Sequence, residues 1–270
     1  MADLGLLRAG LAELDRVVVA FSGGADSAFL AWVANDVLGP GRATAVTAVS
    51  ASLAGRERDD CRALAAEWGL TWREVETAEM ANAAYRANDT DRCFWCKDAL
   101  MDAVEPLLGL GGTVALGVNV DDLDDHRPGQ EAARRRGAVF PLVEAGFTKD
   151  DVRRASRELG LRTWDKPAAP CLASRLPYGM PVSLGRLRSV EQAESALHAL
   201  GFGELRVRHH DQLARIEVPL DRLDDVVARR ATVVEAVTAA GYRWVSLDLA
   251  GLRSGNLNPP DDRSVGGPRP

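Results

Sequence analysis

Lysine is nearly missing from this 270-residue chain: Lys97, Lys149 and Lys166 are its only lysines, so arginine supplies almost all of the positive charge. Acidic residues outnumber basic ones, 39 against 33, for a net charge of −6. Non-specific affinity for nucleic acid comes from many cations neutralising phosphates, so this balance argues against a long polyanionic partner and favours a small anionic ligand. Cysteine is scarce as well. Four thiols are too few for a disulfide scaffold, so they are read as chemical groups rather than staples. No apolar run approaches the ~18 residues of a membrane span, and residues 1–16 read as an amphipathic helix rather than an export signal. These absences point to a cytoplasmic protein with no membrane partner.

What is present is an ordinary globular composition, 46% hydrophobic and 27% charged. At ~100–200 residues per domain, the length predicts one domain of usual size and a smaller one. Runs at 16–21, 43–50, 71–76, 113–118 and 139–142, most of them apolar and non-alternating, predict strands. Helical patterns at 28–38, 59–69, 97–108 and 149–160 separate them. That alternation predicts an α/β fold with a doubly wound parallel sheet. The pattern changes after Trp164. A stretch rich in proline and small residues follows, then a helix at 184–201, alternating strands at 205–208 and 214–218, a helix at 221–241 and a strand at 243–249. The expected domains are therefore 1–167, a smaller C-terminal α/β domain at 168–253, and a tail at 254–270 too poor in core-forming residues to fold.

The first motif is Ser22-Gly23-Gly24-Ala25-Asp26-Ser27, set between a buried strand and a helix. Glycines there let the backbone approach a phosphate, and the unpaired N–H groups of the helix start point at it. Ser22 and Ser27 add hydroxyl donors, and Asp26 is a candidate Mg2+ ligand. The spacing is not that of a Walker A loop. Asn119 and Asp122, at the end of the fourth strand, are candidate nucleotide contacts, because open α/β sheets place ligand loops there. Asp124 and Asp125 read as a solvated acidic loop.

Cys93 and Cys96 form a Cys-x-x-Cys pair, and Cys171 stands alone in a proline-flanked loop. By spacing alone a zinc site and an iron–sulfur cluster rank level, with a redox disulfide lower. A fourth zinc ligand is not obvious; His209 and His210 qualify only if the fold brings them close. Cys61, inside a helical pattern, reads as a small buried hydrophobe. Arg206 and Arg208 lie two apart on a strand and share a face, where a pair of guanidiniums can grip one phosphate. Arg134-Arg135-Arg136 reads as a solvated helix end.

The loop at 22–27 resembles the mark of the PP-loop (ATP pyrophosphatase) superfamily, which implies the HUP-like fold, ATP and Mg2+, and adenylation of an oxygen with release of pyrophosphate. A more specific resemblance follows from Pro170-Cys171-Leu172-Ala173-Ser174-Arg175-Leu176-Pro177-Tyr178-Gly179, Val190-Glu191-Gln192-Ala193-Glu194, Arg206-Val207-Arg208-His209-His210, Ala214-Arg215-Ile216-Glu217-Val218 and the run 247–255. These strings are similar to the LarE family of ATP-dependent sulfur transferases, and the likeness covers nearly the whole chain. It implies adenylation and thiolation of pyridinium-3,5-biscarboxylic acid mononucleotide, a step in making the nickel-pincer cofactor of lactate racemase, by a homo-oligomer. It also implies Cys171 and Glu194 as catalytic residues, with Glu191 one turn away as the alternative, and substrate phosphate held by Arg206, Arg208, Ser174 and Arg175. Cys93, Cys96 and Cys171 together match members that carry a [4Fe–4S] cluster, whose sulfide source the sequence does not name. Members with Cys171 alone give up its own sulfur. Glu217 and Asp225 match functional positions. Trp95 either stacks on the pyridinium ring or packs. The rivals are a tRNA thiolase of the same superfamily and a non-catalytic ATP-binding sensor.

Overall fold

A run of β-branched residues, Val17-Val18-Val19, sits at the centre of the molecule, buried on both sides. Burial on both faces is what a strand inside a parallel sheet requires. A computed structural model describes residues 2–109, 111–123 and 128–253, so the expectations for Asp124, Asp125 and the tail lie outside the described residues. The N-terminal part runs α1 (Leu4–Ala12), β1 (Arg16–Ala20), α2 (Ala25–Leu38), β2 (Ala43–Val49), α3 (Gly55–Glu67), β3 (Trp72–Glu76), α4 (Ala83–Ala87), α5 (Arg92–Leu108), β4 (Gly112–Leu116), α6 (Pro128–Arg135), α7 (Pro141–Glu144) and α8 (Lys149–Glu158). The remainder is α9 (Leu184–Ala199), β5 (Arg206–His210), β6 (Leu213–Glu217), α10 (Leu223–Ala228), α11 (Arg230–Ala239) and β7 (Trp244–Leu247), with short 3-10 turns between elements.

The first sheet has the order β3-β2-β1-β4, every neighbour parallel. Alternate residues of one strand serve opposite faces. Val17 and Val19 join a core with α1, α2 and α8, while Val18, Val46 and Val114 join one with α5 and α6. Helices thus cover both faces, and the doubly wound α/β sheet is the observed fold. Its strand order reverses between β1 and β4, where such sheets bind ligands at the strands' carboxyl ends.

The expected fifth strand at 139–142 is not one. Val139 makes an isolated parallel bridge to Ala115, and Pro141 then starts α7. Proline has no N–H to give a ladder, yet it is well placed at a helix start. Beyond the acidic stretch that follows β4, the chain enters α6 at Pro128. The helix expected over 221–241 is broken at Arg229 into α10 and α11.

In the C-terminal part β5 and β6 form an antiparallel hairpin and β7 adds in parallel, giving a further small sheet. Its core of Leu197, Val207, Ile216, Val233 and neighbours is separate from the first sheet's. A fourth apolar cluster spans the sequence divide: Tyr85 packs with Leu172, Leu176, Leu187 and Val190.

Candidate active site

At the switch point, β1 ends in Phe21 and the chain turns through Ser22-Gly23-Gly24 into α2. Gly23 has φ +70°, and a Cβ there would stand 2.9 Å from the sulfur of Cys61. Only glycine fits this turn. Ser27 ties the loop together: its hydroxyl donates to Gly24 O at 3.2 Å and accepts from Ser22 N at 3.2 Å. No side chain caps α2 at Gly24, so its first-turn N–H groups remain available to an anion. The end of β4 presses against this helix start: a Cβ on Gly117 would meet Ser27 N at 2.8 Å.

Asp26 lies in the first turn of α2. Burial raises its carboxyl above the usual range, opposed by the hydrogen bond from Asn119 Nδ2 at 3.2 Å. One carboxylate beside a phosphate loop suits Mg2+, which binds through one or two carboxylates and substrate phosphates. Asn119 and Asp122 form a reciprocal capping box on each other's backbone. Asp122 also pairs with Lys149 at 3.1 Å. Asn119 therefore reaches the loop through Asp26, while Asp122 supports it from behind.

A cavity of about 190 Å³ opens between the start of α3, the linker 166–170, α9 and β5, and Lys166, Arg175, Glu194 and Arg206 line it. Arg175 and Glu194 form a two-pronged buried ion pair at 2.9 and 3.0 Å, and Glu194 also accepts from Val207 N. Arg208 is spoken for: its guanidinium donates to Glu217 at 2.9 Å and to Ser174 O at 2.9 Å. Arg206 differs. Its described hydrogen bond is to Arg253 O at 3.3 Å, and no ion pair is formed among the described residues. Burial, then the repulsion of Arg208 and Arg175, lowers its pKa. Of the two arginines, Arg206 is the one whose guanidinium is not committed to a carboxylate by a described hydrogen bond or ion pair, and an anion beside it would relieve that repulsion. Ser174 Oγ is engaged by Arg175 at 3.1 Å.

Cys93, Cys96 and Cys171 lie within electrostatic reach of one another, whereas Cys61 is buried against the phosphate loop. Cys93 and Cys96 lie in the first turns of α5, inside the helix rather than before it. Cys96 and Cys171 both pack on the Tyr85–Leu172 cluster, as does Trp95, whose indole donates to Asp91. Burial pushes the Cys96 thiol up to about 12. The donor types suit an iron–sulfur cluster, but their placement does not: among the described residues no three Cys, His, Asp or Glu side chains stand close enough to hold a metal ion. His209 and His210 do not complete a site; His209 instead bonds the Tyr242 hydroxyl at 2.9 Å. Asp225 is exposed on α10, paired with Arg222, and does not line the cavity.

Sequence reasoning missed four residues. Lys149 and Arg153 on α8 act on the charge of Asp26. Lys166 donates to Glu57 at 2.8 Å and Asp60 at 2.6 Å, and those carboxylates outweigh the burial that would discharge it. Arg92, buried at the start of α5, donates to Asn88 and to Ala173 O, tying the Cys-x-x-Cys helix to the Cys171 loop. The rarity of lysine was the available signal for two of them.

A phosphate loop at the switch point of a doubly wound parallel sheet defines an ATP-dependent enzyme of the PP-loop class. The family model described as NAD synthase matches residues 9–99, the stretch that carries this loop. Similarity to whole proteins extends much further. The chain is 46% identical over 256 residues to an uncharacterized protein of Synechocystis sp., covering 93% of this chain and 95% of that one. It is 37% identical over 254 residues to the pyridinium-3,5-bisthiocarboxylic acid mononucleotide synthase of Lactiplantibacillus plantarum, covering 93% and 92%. An uncharacterized protein of Methanocaldococcus jannaschii is 22% identical over 241 residues, covering 88% and 91%. The chain belongs to the LarE family, that of the L. plantarum synthase, and is an ATP-dependent sulfur-transferring enzyme.

Proposed function

We propose that the enzyme adenylates a carboxylate of pyridinium-3,5-biscarboxylic acid mononucleotide and converts it to a thiocarboxylate, with residues 1–167 carrying adenylation and 168–253 binding the substrate phosphate and transferring sulfur. The observation that carries this reading is the cavity with Arg206, buried and without an ion-pair partner among the described residues, at one side and Lys166, beside the phosphate loop, at the other. ATP sits on residues 22–27 with Asp26 holding Mg2+, and the substrate phosphate meets Arg206 while Arg175, fixed by Glu194, shapes the wall. The substrate carboxylate attacks the α-phosphorus, the bond to the β-phosphate breaks, and pyrophosphate leaves with the electron pair. A carboxylate resists nucleophiles; the acyl adenylate does not.

Sulfur enters from the Cys93, Cys96 and Cys171 neighbourhood. In the reading that needs no rearrangement of the three thiols, the Cys171 sulfur displaces AMP to give a thioester. A base then takes the Cα proton, the Cβ–S bond breaks onto the sulfur, and Cys171 becomes dehydroalanine. In the second reading Cys93, Cys96 and Cys171 would be the residues that hold a [4Fe–4S] cluster, which would supply sulfide; Cys96 and Cys171 share one core, but the three thiols do not form a ligand set as placed. The decisive experiment incubates anaerobically purified enzyme with Mg-ATP and the dicarboxylate mononucleotide. Pyrophosphate release with a sulfur-for-oxygen product is expected. Release that requires RNA instead, or ATP binding with no release at all, overturns the reading. Iron content and the mass of the chain after one turnover separate the two sulfur sources.

A further inference from the structure

Lys166 stands where the linker between the two parts of the chain meets the nucleotide loop. A Cβ on Gly23 would be 3.6 Å from its Nζ, so its ammonium lies against the turn that receives phosphate. It also lines the cavity that Arg175 and Arg206 line. An ammonium has three donors; the described hydrogen bonds, to Glu57 and Asp60, use two. Asp60 is shared with Arg162 at 2.8 Å, so the local charges nearly balance and the third donor is not needed to hold the linker. A lysine is also unusual here. Where this chain needs fixed, forked recognition it uses arginine, whereas a compact, mobile point charge is what a departing phosphate group calls for.

We propose that Lys166 is a catalytic residue that contacts the β-phosphate of ATP bound on residues 22–27 and neutralises the charge that builds on pyrophosphate as the bond to the α-phosphorus breaks. The proposal rests on the adenylation reading for its step, but its phosphate contact is tested without the organic substrate. Because Lys166 lies on the linker that leads to Cys171, the same contact couples occupancy of the phosphate loop to the position of the sulfur-transfer loop.

The test is binding of inorganic pyrophosphate with Mg2+, and separately of ATP, to the full chain by calorimetry. Four proteins are compared: wild type, Lys166→Met, Glu57→Gln/Asp60→Asn, and the variant with all three changes. A charge-assisted phosphate contact predicts that Lys166→Met binds pyrophosphate about 10–100-fold more weakly. The triple variant, which leaves no unpaired carboxylate, is expected to regain wild-type thermal stability yet remain as weak. Unchanged affinity in Lys166→Met overturns the proposal. So does recovery of affinity in the triple variant, which would make Lys166 only a counter-ion for Glu57 and Asp60. A wild type that binds neither ATP nor pyrophosphate overturns the nucleotide reading itself and the proposal with it.

Discussion

Gly23 and Cys61 show how a single contact fixes the loop. Gly23→Ala forces a side chain into a left-handed turn and onto the Cys61 sulfur, 2.9 Å away. The backbone penalty alone is about 1–3 kcal/mol, and the change is expected to weaken ATP binding as well. Because Cys61→Ala relieves the overlap but not the turn, the double variant should unfold in urea at a higher concentration than the sum of the single changes predicts. The thiols should also differ in reactivity. Burial pushes Cys61 up to about 11, whereas Cys93 is exposed, so iodoacetamide at pH 8 should label Cys93 and spare Cys61 until the protein unfolds. Glu194 anchors both Arg175 and the backbone of β5. Glu194→Ala leaves a buried guanidinium uncompensated, a loss of about 3–5 kcal/mol seen as a lower urea midpoint.

Elements meet the site through close approaches that the sequence does not display. The end of β4 touches the start of α2 at Gly117, where an added methyl group would overlap the Ser27 backbone at 2.8 Å. Backbone cannot swing aside as a side chain can, so Gly117→Ala should cost about 1–3 kcal/mol and raise the KM for ATP, measured by pyrophosphate release. Asn88 caps α4 in the left-handed conformation, φ 59°, and its side-chain amide donates to Pro177 O and Met180 O at 2.8 Å each. One residue thus pins the loop that follows Cys171 to the helix pair bearing Cys93 and Cys96. The turn and helix patterns were legible because they depend on neighbours along the chain. Asn88 was not, since its partners lie about ninety positions away.

Across the whole molecule, the Tyr85 cluster joins residues from both sides of the sequence divide, so the two parts are expected to unfold together. Tyr85→Ala empties a fully buried site between them. It should cost about 3–5 kcal/mol, with one transition by both far- and near-ultraviolet circular dichroism rather than two. Stability should also depend on pH with two limbs. Burial lowers the pKa of His209 and His210, so they stay neutral when folded and take up protons on unfolding; their contribution is present above about pH 6.5 and lost as pH falls. Cys61, raised from 9.0 to about 11, ionises first in the unfolded chain. Its contribution is complete below pH 9 and disappears as pH rises toward 11. Urea midpoints measured across that range should fall at both ends, and His209→Gln should flatten the acid limb.

The α/β class and the phosphate loop were determined by the sequence itself, because strand burial, glycine turns and helix starts are written in consecutive residues. Tertiary structure decided what those residues are free to do. It committed Arg208 to Glu217 and left Arg206 open. It turned residues 141–144 into a helix. It brought Lys166 from the linker to Gly23 and set Cys96 and Cys171 on one core without closing a three-thiol ligand set. Each of these depends on which distant side chain reaches a charge or fills a space first, and a local pattern holds no record of that competition.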